Sequence, residues 1–118
     1  MSPALFGLIL INIVLLTAGQ TLWKIGLGSV GFSLSFTGIL KLLFNPFVFA
    51  GLAVYVAATV LWLYILSRAE LSAAYPLQSL CYILAALIGL FVFKEDVSLM
   101  KWAGLVLISA GAFFVARG

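Results

Sequence analysis

Residues 71–93 read LSAAYPLQSLCYILAALIGLFVF, a run of 23 residues without a charged side chain. A helix of about 20 apolar residues crosses a bilayer hydrocarbon core of roughly 30 Å, so this stretch predicts a membrane-spanning helix. Polar groups inside a bilayer must be satisfied by protein, water or a ligand. The first half of the stretch carries several of them, which makes it the first place to look for function. They are Tyr75, Gln78, Ser79 and Tyr82.

The whole chain has the composition of an integral membrane protein. Of its 118 residues, 66% are hydrophobic and 8% are charged, and the mean hydropathy is +1.35, whereas about a quarter of the residues of a soluble domain are charged. With about 25 residues per span and loop, the length allows four helices at most. We therefore expect one transmembrane domain over residues 1–118. Its helices are predicted at about 3–25, 46–67, 71–93 and 97–116.

The charged residues indicate contact with lipid headgroups and not with nucleic acid. Six basic and three acidic residues give a net charge of +3, and all of them lie near predicted helix ends. Four lysines lie on the side of the first and third loops and two arginines on the other, a small bias that places both termini outside the cytoplasm. The first apolar stretch lacks a positively charged leader, so we expect it to be retained as a helix.

Catalytic, metal and cofactor chemistry are not expected. The chain has no histidine and one cysteine, Cys81, inside the third predicted span, so a His/Cys metal cluster cannot be built. Ser79 and Cys81 have neither a histidine nor an acid within the membrane to activate them as nucleophiles. The sequence therefore predicts a protein that is not an enzyme.

The first predicted helix carries a polar stripe. Asn12, Leu16 and Gln20 follow one another at steps of four, which places them on one face, and Gly19 and Trp23 flank that face. The stripe faces either a substrate pathway or a neighbouring helix, where amide side chains form packing hydrogen bonds. The predicted substrate-binding residues are Asn12, Gln20, Trp23, Tyr75, Gln78, Ser79 and Tyr82.

Pro76 lies about one turn inside the third predicted helix. Proline lacks a backbone donor and disfavours helix in the residue before it, so we expect a kink at Pro76 with Ser72 to Tyr75 locally unwound. Irregular backbone at membrane depth is typical of transporter substrate sites. The alternative is a proline near a helix start, where it costs little.

Residues 33–44 are less hydrophobic than the predicted spans. Apolar side chains at positions 36, 40, 43 and 44 follow helical spacing. The pattern predicts a short amphipathic helix in the headgroup region, ended by Asn45-Pro46, with a plain loop as the alternative.

The fourth predicted helix carries Gly104 and Gly111, seven residues apart, with Leu105 and Ile108 on or beside the same stripe. Small residues at such spacing let another helix approach closely. We therefore predict that this stripe packs against a helix of the same or another chain, and we assign the four residues to a dimer interface.

Three motifs resemble the four-helix form of the drug/metabolite transporter superfamily. They are SAAYPL at 72–77, FKEDVS at 93–98 and the segment from Gly104 to Gly111. Within that superfamily the chain is most similar to the EamA-like small subunits related to the aminoarabinose-phosphoundecaprenol flippase, which the Ala-Tyr-Pro motif, the Leu63-Tyr64 region and the Glu-Asp turn fit best. The resemblance covers nearly the whole chain. It implies an all-α bundle of four transmembrane helices, similar to small multidrug resistance proteins, in the bacterial inner membrane.

The small multidrug resistance family, whose members are proton-coupled dimers that export cations, differs from this chain at one decisive position. GQTLWK at 19–24 resembles the end of that family's first helix, but Leu16 stands where the family has a membrane-embedded glutamate. Every acid of this chain, Glu70, Glu95 and Asp96, lies in a predicted turn. Exchange of a proton against a cation requires a buried carboxylate, so the usual multidrug mechanism lacks its central group.

The remaining neutral polar interior suits the hydroxyls and amides of a sugar headgroup. We predict a flippase or transporter subunit that moves an amphipathic lipid-linked sugar by alternating access, as a homodimer or with a paralogous partner. Lys24, near a membrane boundary, either attracts the phosphate of a lipid carrier or snorkels to the headgroups. The alternatives are export of cationic or polyamine-like solutes, with acid supplied by a partner chain, and a non-transporting assembly subunit.

Overall fold

The structure, a computed structural model, describes residues 2–30 and 33–118. Within these residues, four stretches are long and apolar enough to cross a membrane, and no strand occurs. The prediction of an all-α protein with four transmembrane helices is confirmed. The helices are α1 (Pro3–Val30), α2 (Phe36–Leu43), α3 (Pro46–Arg68), α4 (Leu71–Gln78), α5 (Cys81–Phe91) and α6 (Leu99–Arg117).

α1 and α3 form the most extensive helix pair of the fold. Glycines let the two backbones approach closely: a Cβ on Gly51 would lie 2.8 Å from the Gly19 carbonyl oxygen, and one on Gly26 would lie 2.6 Å from Val48 Cγ2. The indole Nε1 of Trp23 donates a hydrogen bond of 3.1 Å to the Val48 carbonyl across the same contact. Small residues at a close crossing are a main source of cohesion between membrane helices, because lipid provides no hydrophobic drive for association.

α1 continues to Val30, about five residues beyond its predicted end. Gly26 and Gly28 favour an earlier end, since glycine costs about 1 kcal/mol in a helix interior. Gly26, however, packs against α3, and the Asn45 side chain, which caps α3 through its oxygen, donates from Nδ2 to Ser29 Oγ at 3.1 Å. These contacts with the start of α3 outweigh the low helix propensity of glycine.

α2 lies inside the segment for which an amphipathic helix is predicted. The Ser35 side chain caps it by accepting a hydrogen bond of 3.1 Å from the Gly38 N–H. Its apolar side chains are largely exposed among the described residues, with Phe36 78% exposed and the neighbouring Phe44 84% exposed. A short helix with an uncovered apolar face beside the ends of α1 and α3 suits the headgroup region of a membrane.

The third span is divided by an interruption at Ser79 and Leu80. Pro76 lies inside α4, and residues 72–75, for which unwinding is predicted, are helical. The Ser79 hydroxyl donates to the Pro76 carbonyl, and the Leu80 N–H bonds the Leu77 carbonyl three residues back at 3.1 Å. A hydroxyl that bonds back to a carbonyl of the preceding turn often bends a helix. Because the hydroxyl here is that of Ser79, the break lies about one turn after Pro76.

A small core joins α1, α3, α4 and α6 near the end of the molecule where α3 meets α4. Its buried side chains are Ile9, Ile13, Ile65, Ala74, Leu77 and Ala112. At the opposite end the bundle is more open: α5 contacts α1 more than α6, and α6 packs chiefly against α4. α6 begins at Leu99, two residues later than predicted, because Ser98 caps it by accepting a hydrogen bond from the Lys101 N–H.

Candidate functional site

A groove with a volume of about 280 Å³ lies between α1 and α5. Its residues fall at steps of one, three and four on both helices, so the walls are one face of each helix. α1 contributes Leu16, Thr17, Gln20, Thr21 and Lys24, and α5 and the turn after it contribute Cys81, Tyr82, Ala85, Ile88, Gly89, Phe93 and Glu95.

The polar side chains of the groove are neutral over most of its length. Gln20 is exposed to it, and Tyr82 is 55% exposed. The Thr17 and Thr21 hydroxyls donate to carbonyls of α1, those of Ile13 at 2.8 Å and of Thr17 at 2.7 Å, which leaves their oxygen lone pairs as acceptors. The groove can therefore both donate and accept hydrogen bonds without carrying charge in its middle.

An ion pair lies at one end of the groove. Lys24 Nζ is 3.0 Å from Glu95 Oε2, and the two side chains are 51% and 50% exposed. The ammonium group also lies 4.8 Å from the centre of the Phe93 ring, within the range of a cation–π contact. The two charges of this end are thus held together and cancel.

The backbone after α5 determines where Glu95 lies. Lys94 has a φ of 57°, the left-handed conformation that commonly ends a helix, and the Glu95 N–H donates to the Gly89 carbonyl at 2.9 Å. A Cβ on Gly89 would lie 2.5 Å from Glu95 Oε1. The carboxylate therefore sits in space that any residue with a side chain at position 89 would occupy.

Asn12 is fully buried one turn before Leu16, on the same stripe of α1. Neither its Nδ2 nor its Oδ1 has a hydrogen-bond partner within the described part of the chain. A buried polar group without a partner costs about 1–3 kcal/mol. Asn12 thus marks the continuation of the polar stripe beyond the closed end of the groove.

A second groove, of about 410 Å³, lies between α5 and α6. Its α6 wall carries Gly104, Leu105 and Ile108, three of the residues predicted at a dimer interface, and Asp96 and Lys101 lie at its end. α5 is the wall shared by the two grooves. The residues that line both are Tyr82, Ala85, Gly89 and Glu95.

The glycine stripe of α6 is uncovered. A Cβ on Gly104 or on Gly111 would meet no described atom within 4 Å. The large side chains beside the stripe are also exposed, with Leu107 at 73% and Phe114 at 72%. Nothing in the described part of this chain packs on that face.

Comparison with known proteins relates the chain to one group of bacterial membrane proteins. It is 33% identical over 111 residues to a protein of Pseudomonas savastanoi pv. phaseolicola named as the probable 4-amino-4-deoxy-L-arabinose-phosphoundecaprenol flippase subunit ArnE, and the match covers 93% of this chain and 96% of that protein. The chain belongs to the ArnE family of flippase subunits. The predicted resemblance is confirmed, and the four spanning helices and the family make the chain a multi-pass protein of the bacterial inner membrane.

Other ArnE proteins match over shorter stretches. The protein from Pseudomonas fluorescens strain Pf0-1 is 33% identical over 73 residues, which are 62% of this chain and 64% of that one. The protein from Pseudomonas paraeruginosa is 43% identical over 56 residues, 48% of this chain and 49% of that one. No protein-family model and no solved structure matches the chain. The relatives are named as flippase subunits, so the ArnE family is one of membrane transport proteins.

Only part of the predicted binding set meets in the groove of this ArnE-family chain. Gln20 and Tyr82 line it, and Asn12 lies beyond its closed end. Gln78 and Ser79 lie at the break in the third span, partly buried, and are not among the residues lining either groove.

Trp23 and Tyr75 lie away from both grooves. Trp23 packs against α3, where its ring centre is 5.3 Å from that of Tyr55. Tyr75 is 63% exposed, with its ring centre 6.2 Å from that of Trp62. The sequence places both side chains in the correct helices but does not show which neighbour each helix face meets.

Sequence reasoning also misses residues that line the groove of the ArnE-family chain. Thr17 and Thr21 lie at helical spacing beside Gln20 and Lys24, a signal that was available in the sequence. The pairing of Lys24 with Glu95 had no such signal, because 71 positions separate the two residues and the contact depends on how α1 packs against α5. Among the described residues, no group of three or more histidine, cysteine or acidic side chains is placed to hold a metal ion.

Proposed function

We propose that this chain is one subunit of a flippase that moves a phosphoundecaprenol-linked aminosugar across the inner membrane. Its relatives are named for that substrate. The observation that carries the proposal is the α1–α5 groove, which combines apolar walls with the neutral polar side chains of Gln20, Thr17 and Tyr82 and holds a lysine at its end.

The groove has the chemistry that a phosphate-linked sugar needs. The Gln20 amide, the Tyr82 hydroxyl and the Thr17 oxygen match sugar hydroxyls as donors and acceptors. Lys24 provides a cation for the phosphate, in line with its predicted role. Small-molecule pockets measure roughly 300–1,000 Å³, so about 280 Å³ is suited to a headgroup, while the polyprenyl tail stays in the bilayer.

The same groove is poorly suited to exporting a bare cation. Leu16 lines it where an embedded acid would be needed, and the carboxylate of Glu95 is outside the span and already paired with Lys24. A cation that entered would meet no uncompensated negative charge in the groove, whereas the uncharged hydroxyls of a sugar need none.

We further propose that the working unit is a dimer that exposes the groove to one side of the membrane at a time. The relatives are named as subunits, and the stripe of Gly104 and Gly111 is free to pack against a partner helix. Because the lysine-bearing end is expected to face the cytoplasm, the headgroup enters from that side. An identical chain and a paralogous small subunit both fit this arrangement.

Reconstituted vesicles test the proposal. The protein, alone or with a co-expressed paralogue, is incorporated with the lipid-linked aminosugar, and a membrane-impermeant reagent that labels the sugar amine reports which leaflet exposes it. We expect the protein to change the exposed fraction, and Gln20→Ala and Tyr82→Phe to slow that change. Tyr64→Phe, in a tyrosine 48% exposed on α3, is the matched control. If exposure is the same with and without the protein in both preparations, the chain is not part of such a flippase.

A further inference from the structure

The positive charge of Lys24, at the end of the α1–α5 groove, is the one to which a ligand phosphate would bind, and it is already paired with Glu95. Lys24 is the basic residue among those lining this groove, and its Nζ contacts Glu95 Oε2 at 3.0 Å. An anion that approaches Lys24 therefore meets the Glu95 carboxylate already in place. It must either displace that carboxylate or share the ammonium group with it.

The backbone after α5 places Glu95 beside Gly89 and Lys24. The left-handed Lys94 turns the chain back toward α5, and the Glu95 N–H bonds the Gly89 carbonyl at 2.9 Å. The carboxylate then occupies the space above Gly89, where a Cβ would lie 2.5 Å from Oε1. The turn at Lys94 thus brings Glu95 to the end of the groove, and the absence of a side chain at Gly89 leaves room for its carboxylate.

The contact is weak enough to open. Both side chains are about half exposed, and ion pairs at exposed positions change an equilibrium constant by no more than about fivefold. The phosphodiester of a lipid-linked sugar and a carboxylate each carry one negative charge, so exchanging one for the other leaves the net charge at Lys24 the same. Binding a phosphate in place of Glu95 therefore requires no new compensating charge.

We infer that Glu95 is a built-in competitor for the phosphate of the lipid carrier: it holds Lys24 until the phosphate takes its place. Glu95 is a positioning residue that acts through Lys24, and Gly89 provides the space it occupies. This inference rests on the proposed function, because it requires that a phosphate-bearing lipid enter the groove.

The test measures binding of a radiolabelled phosphoundecaprenol-linked aminosugar, a phosphodiester, to the full-length protein in phosphatidylcholine nanodiscs. Glu95→Gln removes the competitor and should tighten binding by about two- to fivefold. Gly89→Ala keeps both charges but fills the space beneath the carboxylate, and should tighten binding in the same direction. Lys24→Gln should weaken binding. When Lys24 is already Gln, the further change Glu95→Gln should have no effect on binding. A purely structural role of Glu95 would instead give Glu95→Gln the same effect with and without Lys24.

Asp96→Asn is the matched control, because Asp96 neighbours Glu95 in sequence but lines the α5–α6 groove and not the α1–α5 groove. Equal tightening by Asp96→Asn and Glu95→Gln would show a general charge effect and overturn the inference. Unchanged or weaker binding by both Glu95→Gln and Gly89→Ala would also overturn it, while wild-type binding would leave the proposed function intact. If the wild type and every variant fail to bind the phosphoundecaprenol-linked aminosugar, the proposed function fails together with the inference.

Discussion

Asn12 is fully buried in a bundle whose other large, fully buried side chains are Ile9, Ile65 and Leu77. Its amide atoms have no partner within the described residues, so in this conformation the side chain contributes cost without a compensating hydrogen bond. The polar stripe that begins at Asn12 continues through Gln20 into the groove. If the protein alternates between two conformations as proposed, the Asn12 amide can form hydrogen bonds in the second conformation that it lacks in this one.

Replacing Asn12 with leucine should therefore stabilise the protein. Asn12→Leu keeps the branched shape with the same number of side-chain heavy atoms and removes two unsatisfied polar atoms, and we expect a gain of about 1–3 kcal/mol, seen as a higher unfolding temperature in detergent. Flipping should become slower if the amide meets the headgroup in the alternate conformation. Asn45→Leu is the control and should destabilise, because the Asn45 side chain caps α3 and bonds Ser29. A lower unfolding temperature for Asn12→Leu would show that the amide has a partner after all.

Leu16 and Leu77 offer a matched comparison of a groove position with a core position. Leu16 lines the α1–α5 groove, whereas Leu77 is 1% exposed in the core. A carboxylate in a dry membrane interior costs roughly 3 kcal/mol on insertion scales, so Leu77→Glu should lose most of its folded protein. We expect Leu16→Glu to cost less because water reaches the groove, as measured by the yield of monodisperse protein and its unfolding temperature. Equal losses from the two variants would mean that the groove is dry at this depth.

Single residues also show how far the sequence reaches. The spacing of Asn12, Leu16 and Gln20 correctly predicts one face, because α1 is regular along its length and helical periodicity suffices. Trp23 is also predicted beside that face, yet its indole bonds α3. A helix presents several neighbours at once in a bundle, and the sequence of one helix does not tell which of them each side chain meets.

The packing of α1 against α3 depends on their glycines. Gly51→Ala would bring a Cβ to 2.8 Å from the Gly19 carbonyl oxygen and 2.6 Å from Trp23 Cδ1, and the backbone oxygen cannot rotate away. We expect a destabilisation of about 1–3 kcal/mol from overpacking, measured by thermal unfolding in detergent. Gly7→Ala, where no described atom lies within 4 Å, is the control and should be neutral or stabilising. An unchanged stability for Gly51→Ala would mean that the two helices can separate without cost.

The third span shows why an interruption can be predicted without its position. Pro76 correctly indicates that the span is not one regular helix, since proline removes a backbone donor. The break falls at Ser79 and Leu80 because the Ser79 hydroxyl bonds the Pro76 carbonyl and the local bonds shift to three-residue spacing. Serine is common in regular membrane helices, so the presence of a serine at position 79 does not by itself predict a bend.

For the whole molecule, composition and hydropathy are sufficient to predict four spanning helices, but not their arrangement. In the structure, α5 lies against α1, while α6 packs chiefly against α4. This arrangement cannot be predicted from composition and hydropathy. That arrangement leaves one groove on each side of α5. It also leaves a face of α6 uncovered by the described residues. The candidate site follows from the arrangement, which is why only Gln20, Tyr82 and Lys24 of the predicted binding and phosphate residues line it.

The uncovered face of α6 gives a prediction for assembly. Replacing Gly104 and Gly111 together with leucine should weaken dimers in detergent, because the added side chains hold a partner helix away from the stripe. Sedimentation and cross-linking measure the association. Gly7→Leu together with Gly28→Leu adds the same bulk at two other positions with no described atom within 4 Å and is the control. Association that is unchanged by the double variant would remove this stripe from the interface.

The close α1–α3 contact also bears on how the protein is made. These two helices leave the ribosome before α4, α5 and α6, and chains generally fold from the N-terminus during synthesis. Gly19, Gly51 and Trp23 can therefore meet while the third span is still being translated. The later helices would then pack against a hairpin of α1 and α3 that has already formed. The wall of the groove that carries Gln20 and Lys24 would therefore form before the wall that carries Tyr82 and Glu95.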